Sequence, residues 1–356
     1  MAKLPGDKAP ASYYHADTSD LERCQVVVDM VRSVIAGIHT ECFPSENGRE
    51  VIVCCRHSDA LTRASAVMLV KQFLRRQPLR EDYRYQQAHV IAFANEKGGV
   101  AKTTSCINLA ACFALRGERT LVIDMDPQAN ATVGLGLEPA ALDHQPQSLL
   151  LDSAFGLEQV ISPTAIGNLD LVPANSGLAA ANLELVKAVG RELKLRTKLS
   201  AYMNGADGAG YRYVLIDCPP AVDLITVNAL MAATHMIVPV QPSYYSFRAM
   251  GLLSAAVAQL YDSLDPRIRM LGILVTMYNK DEAAHRAMLE LLRDRVSREF
   301  GPYVFPTQIR RAAAVGESEA NQQPVVITHP RSSTARCYQS VADEIAERLV
   351  EVRYAA

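Results

Sequence analysis

The chain has 356 residues and a formal charge of −2, with 36 Lys and Arg against 38 Asp and Glu. That balance excludes a wholesale basic nucleic-acid coat and an acidic disordered tail, while leaving room for a local basic face. A composition that is 49% hydrophobic and 21% charged, with 6% aromatics and no Trp, points to a large core of helices on a parallel sheet and away from a β-sandwich.

Residues 1–20 are polar and carry Pro, Gly, Asp and Ser, as a flexible N-terminus would. The opening MAKLPGDKAP has no apolar run after its lysines, so no signal peptide is expected. Nor is any apolar stretch close to the roughly 18–20 residues that span a bilayer. Residues 21–87 read as a small accessory segment. Cys24–Ile38 has the pattern of a helix, Glu50–Cys55 of a strand, and Asp59–Arg76 of a second helix. In that second helix Ala66, Leu69, Val70 and Phe73 fall at i, i+3, i+4 and i+7, one apolar face. Its basic end (Lys71, Arg75, Arg76, Arg80 and Arg84) suits a solvated face or a contact with DNA or a partner. Eight cysteines form no CxxC and mostly sit in apolar runs, as small buried hydrophobes of a reducing cytoplasm would. Adjacent Cys54 and Cys55 on a strand point to opposite faces, against a shared metal.

From His89 short apolar runs alternate with helical patterns. The runs are Val90–Ala94, Thr120–Met125, Leu169–Pro173, Tyr213–Asp217, Met236–Val240 and Leu271–Met277. Between them lie helical stretches at Thr103–Leu115, Leu178–Met203, Leu224–Ala233, Phe247–Leu260 and Glu282–Phe300. Such a rhythm predicts an α/β fold, a mostly parallel twisted sheet with helices on both faces, preceded by a small N-terminal α/β extension. Residues 88–356 then form the main domain. Ligands of such sheets bind beyond the carboxyl ends of the strands.

Directly after the first of these strands comes Asn95-Glu96-Lys97-Gly98-Gly99-Val100-Ala101-Lys102-Thr103-Thr104, and then a helix. Gly98 and Gly99 let the backbone curl so that successive N–H groups face an anion at a helix N-terminus. Lys102 would reach the β- and γ-phosphates of a nucleotide and the Thr103 hydroxyl would hold Mg²⁺. The pattern GxxxxGK[ST] fails, since Glu96 and Ala101 stand at its glycines; KGGxxK[ST] fits, with an additional lysine at Lys97. This resembles the deviant Walker A motif of the ParA/MinD family of P-loop ATPases. Asp124-Met125-Asp126-Pro127-Gln128-Ala129-Asn130-Ala131-Thr132 resembles the family's second motif, and Tyr213–Asp217 its Walker B strand. Pro239-Val240-Gln241-Pro242, Ala249-Met250-Gly251-Leu252 and Gly272–Asn279 are similar to family segments as well. The resemblance covers about residues 88–350 and is nearest to the Soj-like ParA proteins.

The resemblance implies a Mg²⁺-dependent ATP hydrolase in which Lys97, Lys102 and Asp126 are catalytic. Residues Lys97 to Thr104 would bind phosphate, Thr103 and Asp217 the metal, and Asn279 and Pro306 the base. Lys97 would act on the phosphates of a second copy, so that ATP drives homodimerisation and hydrolysis releases it. Asp124 is open to a plain role as a carboxylate satisfied at the sheet end. Ala101 replaces the usual glycine, tolerable if that position is right-handed. Glu96 places a carboxylate near the triphosphate, and slow, partner-stimulated turnover is expected.

ParA-like members bind DNA non-specifically; MinD-like members bind membrane through a basic amphipathic C-terminal helix. Here the last helix has Val341, Ile345, Leu349 and Val352 on one face and Asp343, Glu344, Glu347 and Glu351 on the other, so it is expected to dock on the core. Arginines gather at Arg286, Arg293, Arg295, Arg298, Arg310, Arg311, Arg331 and Arg336, and Arg310 and Arg311 are candidate DNA contacts, with ordinary surface arginines as the other possibility. The resemblance thus implies a cytoplasmic, nucleoid-associated ParA-type ATPase that segregates or positions plasmid or chromosomal DNA, or a protein cargo, with a ParB-like or other adaptor and no membrane. A MinD-like or regulatory ATPase positioning a membrane or motility assembly is the alternative, as is an autorepressor acting through the N-terminal segment.

Overall fold

The structure, a computed structural model, describes residues 11–17, 39–44, 50–56, 88–142, 146–205, 210–243, 268–296 and 304–354. They divide into two compact units, the smaller holding the N-terminal strands and residues 290–296. The expected helices Cys24–Ile38, Asp59–Arg76 and Phe247–Leu260 lie outside the described residues.

In the smaller unit β1 (Ala11–Asp17) and β2 (His39–Pro44) flank β3 (Glu50–Arg56) in an antiparallel sheet. Tyr13 pairs with Cys54 and Cys42 with Val53. Only β3 is legible as a strand in the sequence. The stretch 1–20, expected to be loose, contains β1. Its Tyr13-Tyr14 core has good strand propensity, but it is too short to stand out until a partner supplies the ladder. Val53, Cys54 and Cys55 are fully buried.

The larger unit is built on a seven-stranded sheet in the order β10-β9-β4-β8-β5-β7-β6. Its strands are β4 (His89–Phe93), β5 (Thr120–Asp124), β6 (Ser162–Pro163), β7 (Leu169–Val172), β8 (Tyr213–Asp217), β9 (His235–Val240) and β10 (Arg269–Val275). All pairs are parallel except the short edge pair β6–β7. Every residue of β4, β5, β8 and β9 is buried. Strands with no polar face can exist only where layers cover both sides, and this is the expected α/β fold.

Helix α1 (Lys102–Leu115) follows β4 and is buried from Ser105 to Ala114. A helix that is apolar and small all round belongs between two layers. One layer is the sheet, against which Phe113 stacks on Tyr213 with ring centroids 3.9 Å apart. The other is the final helix, Ser333–Tyr354, whose Ala335, Tyr338, Val341, Ala342, Ile345 and Leu349 are buried. Arg116 at the end of α1 pairs with Asp343 at 2.9 Å and donates to the Gln339 carbonyl. The apolar face of the last helix is thus spent on the core, as the charge on its other face suggested. Among the described residues no helix is long and apolar enough to cross a membrane.

Two expected helices differ. Leu178–Met203 is two helices, Gly177–Leu185 and Lys194–Met203. Gly190 between them takes φ +63°, and Asn228 holds the break by donating to the Arg191 carbonyl and accepting from the Leu195 N–H. Of the expected helix Glu282–Phe300, Ala283–Leu291 is α-helical and Leu292–Val296 a π turn, while residues 297–300 lie outside the described residues.

Candidate nucleotide site

The carboxyl ends of β4, β5, β8 and β10 gather the polar residues of the motifs. Asn95, two residues beyond β4, is buried. Its amide donates to the Pro239 carbonyl on β9 at 2.7 Å, and its Oδ1 accepts the Lys97 N–H at 3.0 Å. The loop is therefore tied at its start to the neighbouring strand. Gly99 has φ +69°, which only glycine adopts freely. At the far end the Val100 carbonyl accepts from Thr276 Oγ1 at 3.0 Å, joining the loop to the end of β10. Next comes Ala101 with φ 59° and ψ 38°. The condition that would make alanine harmless there fails: the position is left-handed, and its Cβ crowds the carbonyl at roughly 1–2 kcal/mol.

Lys102 opens α1 and is 6% exposed. Its Nζ donates to the Lys97 carbonyl across the loop at 3.0 Å. Burial lowers its pKa, opposed by the charge of Asp217. Thr103 Oγ1 donates to Asp217 Oδ2 at 2.7 Å. Asp217 Oδ1 is buried with no hydrogen-bond partner among the described residues. Burial, and then the neighbouring Asp124, push the Asp217 carboxyl well above the ordinary carboxylate range. Lys97 is half-buried and its Nζ donates to Ser243 Oγ at 3.2 Å. Thr104 Oγ1 lies 3.5 Å from Glu319 Oε1. Glu96 is half-buried.

Beside Asp217 on β5 stands Asp124, its register partner. Burial pushes its carboxyl up to about 6, held back by its bonds to Thr132. Asp126, two residues on, is 6% exposed. Its Oδ1 accepts the Gln128 N–H at 2.9 Å. The turn closes through the Ala129 N–H on the Asp126 carbonyl, with Ala129 also left-handed at φ 56°.

On the β10 side the chain Val304–Arg310 runs alongside the strand. The Phe305 N–H binds the Ile273 carbonyl, the Ile309 N–H that of Val275, and the Tyr278 N–H that of Ile309. Asn279 and Pro306 thus share one edge, and Pro306 is exposed. The Asn279 amide is already engaged, donating to Glu282 Oε1 at 2.9 Å and accepting the Asp281 N–H at 3.1 Å. Arg310 and Arg311 are exposed on the same edge, next to the start of the last helix, where Thr334 Oγ1 donates to the Arg310 carbonyl. Arg331 and Arg336 are exposed there too, while Arg286 is turned to the Lys280 carbonyl and Arg298 lies outside the described residues.

Sequence reasoning missed the parts played by Asn95, Thr132 and Thr276. The only signal was position: each is a polar residue at or just beyond the carboxyl end of a core strand, or within a quoted motif. The assembled site is a glycine-lined, cation-bearing anion cradle facing three buried carboxylates.

Comparison with known proteins gives the family. Residues 88–270, just over half of the chain, match the family model described as an AAA domain. The sporulation initiation inhibitor protein Soj of Bacillus subtilis (strain 168) is 36% identical over 257 residues, 72% of this chain and 98% of that protein. The chain belongs to the ParA/MinD family of P-loop ATPases. Within the family, the chromosome partitioning protein ParA of Caulobacter vibrioides (strain NA1000 / CB15N) is 34% identical over 262 residues, covering 73% of this chain and 94% of that one. A crystal structure of cobyrinic acid a,c-diamide synthase from Mycobacterium smegmatis, with a bound ATP analogue and magnesium, superposes with a TM-score of 0.61 at 31% identity. It covers 72% of this chain and 93% of its own.

Proposed function

We propose that this chain is a ParA-type, Mg²⁺-dependent ATPase that closes into a homodimer around ATP and binds DNA without regard to sequence in that state. It hydrolyses ATP slowly, stimulated by a ParB-like or other adaptor, and so segregates DNA or positions a protein cargo on the nucleoid. The observation that carries this reading is Asp217. One of its oxygens is held by Thr103 and the other is buried without a partner among the described residues, at the foot of the glycine loop. A carboxylate that deep is costly unless a counter-ion completes it. A hydroxyl beside a carboxylate is the hard oxygen set that Mg²⁺ accepts while keeping several waters. The residues present therefore fit Mg²⁺ and ATP.

In this reading Thr103 and Asp217 hold the metal, and the backbone from Lys97 to Thr104 cradles the phosphates. The bound metal supplies neutralisation of phosphate charge. Lys102 exchanges the Lys97 carbonyl for phosphate oxygens, a partner that favours its charge. Asp126 keeps Oδ1 on the Gln128 N–H and uses Oδ2 to orient the attacking water. Lys97 leaves Ser243 and reaches the phosphates of the second copy. Asn279 and Pro306 flank the base, and Arg310 and Arg311 meet DNA phosphates. Residues 88–356 act as the ATPase domain, with residues 21–87 as an accessory segment for dimerisation or adaptor recognition.

The test combines nucleotide binding with sedimentation. Wild type should bind a fluorescent ATP analogue with Mg²⁺ and pair under saturating ATP. Lys102→Ala should lose binding. Lys97→Ala should bind nucleotide yet remain monomeric, and Asp126→Ala should pair and fail to hydrolyse. A wild-type chain that stays monomeric at saturating ATP would sink the dimer cycle.

A further inference from the structure

The Asp126 loop is closed by a clamp whose outer half is Thr132. Asp124 is held on β5 between β7 and β8, and its buried carboxylate takes three donors. Oδ1 accepts the Asp126 N–H at 3.0 Å. Oδ2 accepts both the N–H and the Oγ1–H of Thr132, each at 2.8 Å. The Thr132 hydroxyl in turn accepts the Ala174 N–H at 2.8 Å, just past the end of β7. Asp124 and Thr132 are 1% and 0% exposed. One rigid carboxylate therefore ties both ends of the segment 126–132, and one hydroxyl ties that segment to the next strand.

We propose that Thr132, acting through Asp124, is a positioning residue that fixes where Asp126 presents its carboxylate. This deepens the ATPase reading and rests on it. The argument is one of constraint. Asp126 has its own Oδ1 engaged by Gln128 within the same closed segment. Its remaining oxygen follows the path of the backbone from 124 to 132. Asp124 cannot shift, because its strand is paired on two sides. Among the described residues Thr132 is the side chain that both donates into this carboxylate and accepts the Ala174 N–H just past β7. Removing its hydroxyl leaves the Ala174 N–H buried without a partner and leaves this end of the segment tied to Asp124 by the Thr132 N–H alone, so the loop is loosened. Misplacement of a reacting group by about 1 Å costs up to about a hundredfold in rate, while binding that depends on the phosphate cradle is untouched.

The test uses the full chain with Thr132→Val, which keeps shape and drops the hydroxyl, and Thr132→Ser, which keeps the hydroxyl. Without nucleotide, amide hydrogen exchange of residues 126–132 should quicken in Thr132→Val and return to wild-type rates in Thr132→Ser. With Mg²⁺ and ATP, Thr132→Val should lower kcat between about tenfold and a hundredfold, at an ATP affinity within about twofold of wild type, with serine restoring kcat. Unchanged exchange in Thr132→Val overturns the clamp, whatever the activity. Quickened exchange with unchanged kcat overturns the positioning role, as does a parallel loss of affinity and kcat. Should wild type itself fail to hydrolyse ATP, the ATPase reading falls while the exchange result still decides the clamp. Should Thr132→Val fail to fold, Thr132→Ser carries the test: slowed turnover with its hydroxyl in place overturns the proposal.

Discussion

At the scale of single residues, alanine at two left-handed positions sets this site apart. Ala101 and Ala129 end the phosphate loop and the Asp126 turn, and each holds φ near 60°. From sequence, Ala101 is visible as a departure, but its cost is not, because the sign of φ is decided by how the loop is tied. Here the Val100 carbonyl is pinned to Thr276 on one side and the Ala101 carbonyl starts α1 by accepting the Ser105 N–H on the other. Glycine at this position removes the Cβ conflict and gives back part of the gain through its looser unfolded chain. Ala101→Gly should therefore stabilise the nucleotide-free protein by about 1 kcal/mol, read as a raised melting temperature. A variant no more stable than wild type would show that the alanine bears no strain.

Among the elements, the core strands are the most legible part of the fold. Runs such as Tyr213–Asp217 are apolar at every position because both faces are covered, and no partner is needed to see that. What escaped were elements that depend on a distant group: β1, which needs β3, and the break at Gly190, which needs Asn228. The start of β9 carries a further element-level consequence. His235 is buried there, and burial first, then His89 and Arg269, push its pKa down to about 3. Its ring stays neutral when folded, held to Thr234 Oγ1 at 2.9 Å, whereas in the unfolded chain it charges below about 6.5. The unfolded state then binds more protons, so stability falls as pH drops from about 6.5 towards 3. Comparing His235→Gln with wild type isolates this group from the aspartates. The variant should show a weaker acid loss by on the order of 2 kcal/mol at pH 4.5. Parallel pH–stability curves for the two proteins would refute it.

For the whole molecule, near-neutral charge would suit the proposed DNA tether, which must hold and let go. Arg310, Arg311, Arg331 and Arg336 are exposed, and Thr334 of the last helix bonds the Arg310 carbonyl, so these arginines are candidates for a local basic face on a protein that is not basic overall. If that patch meets DNA phosphates, Arg310→Glu with Arg311→Glu should weaken ATP-dependent DNA retention for every sequence alike. The slope of log affinity against log salt should fall by about 2. Retention and salt slope equal to wild type would place the DNA contact elsewhere. Most of the site was legible because its chemistry is local: a glycine loop, two lysines, and aspartates at strand ends. The ties between those pieces were not, since Asn95 to Pro239, Thr276 to Val100 and Thr132 to Ala174 each join parts far apart in sequence.

The place of β4 within the sheet bears on when the site comes into being. All residues of the phosphate loop are synthesised by Thr104, yet Val90 pairs with Val214 and Ile91 with His235, and α1 is covered by segments made near the end of the chain, Val326 bonding Asn108 and Arg116 pairing with Asp343. A chain still emerging from the ribosome carries the complete loop sequence with nothing to hold it in shape, because such non-local pairings form only once both partners exist. If the chain binds nucleotide as proposed, affinity should arise only once these later strands and the last helix have been made, well after the loop itself.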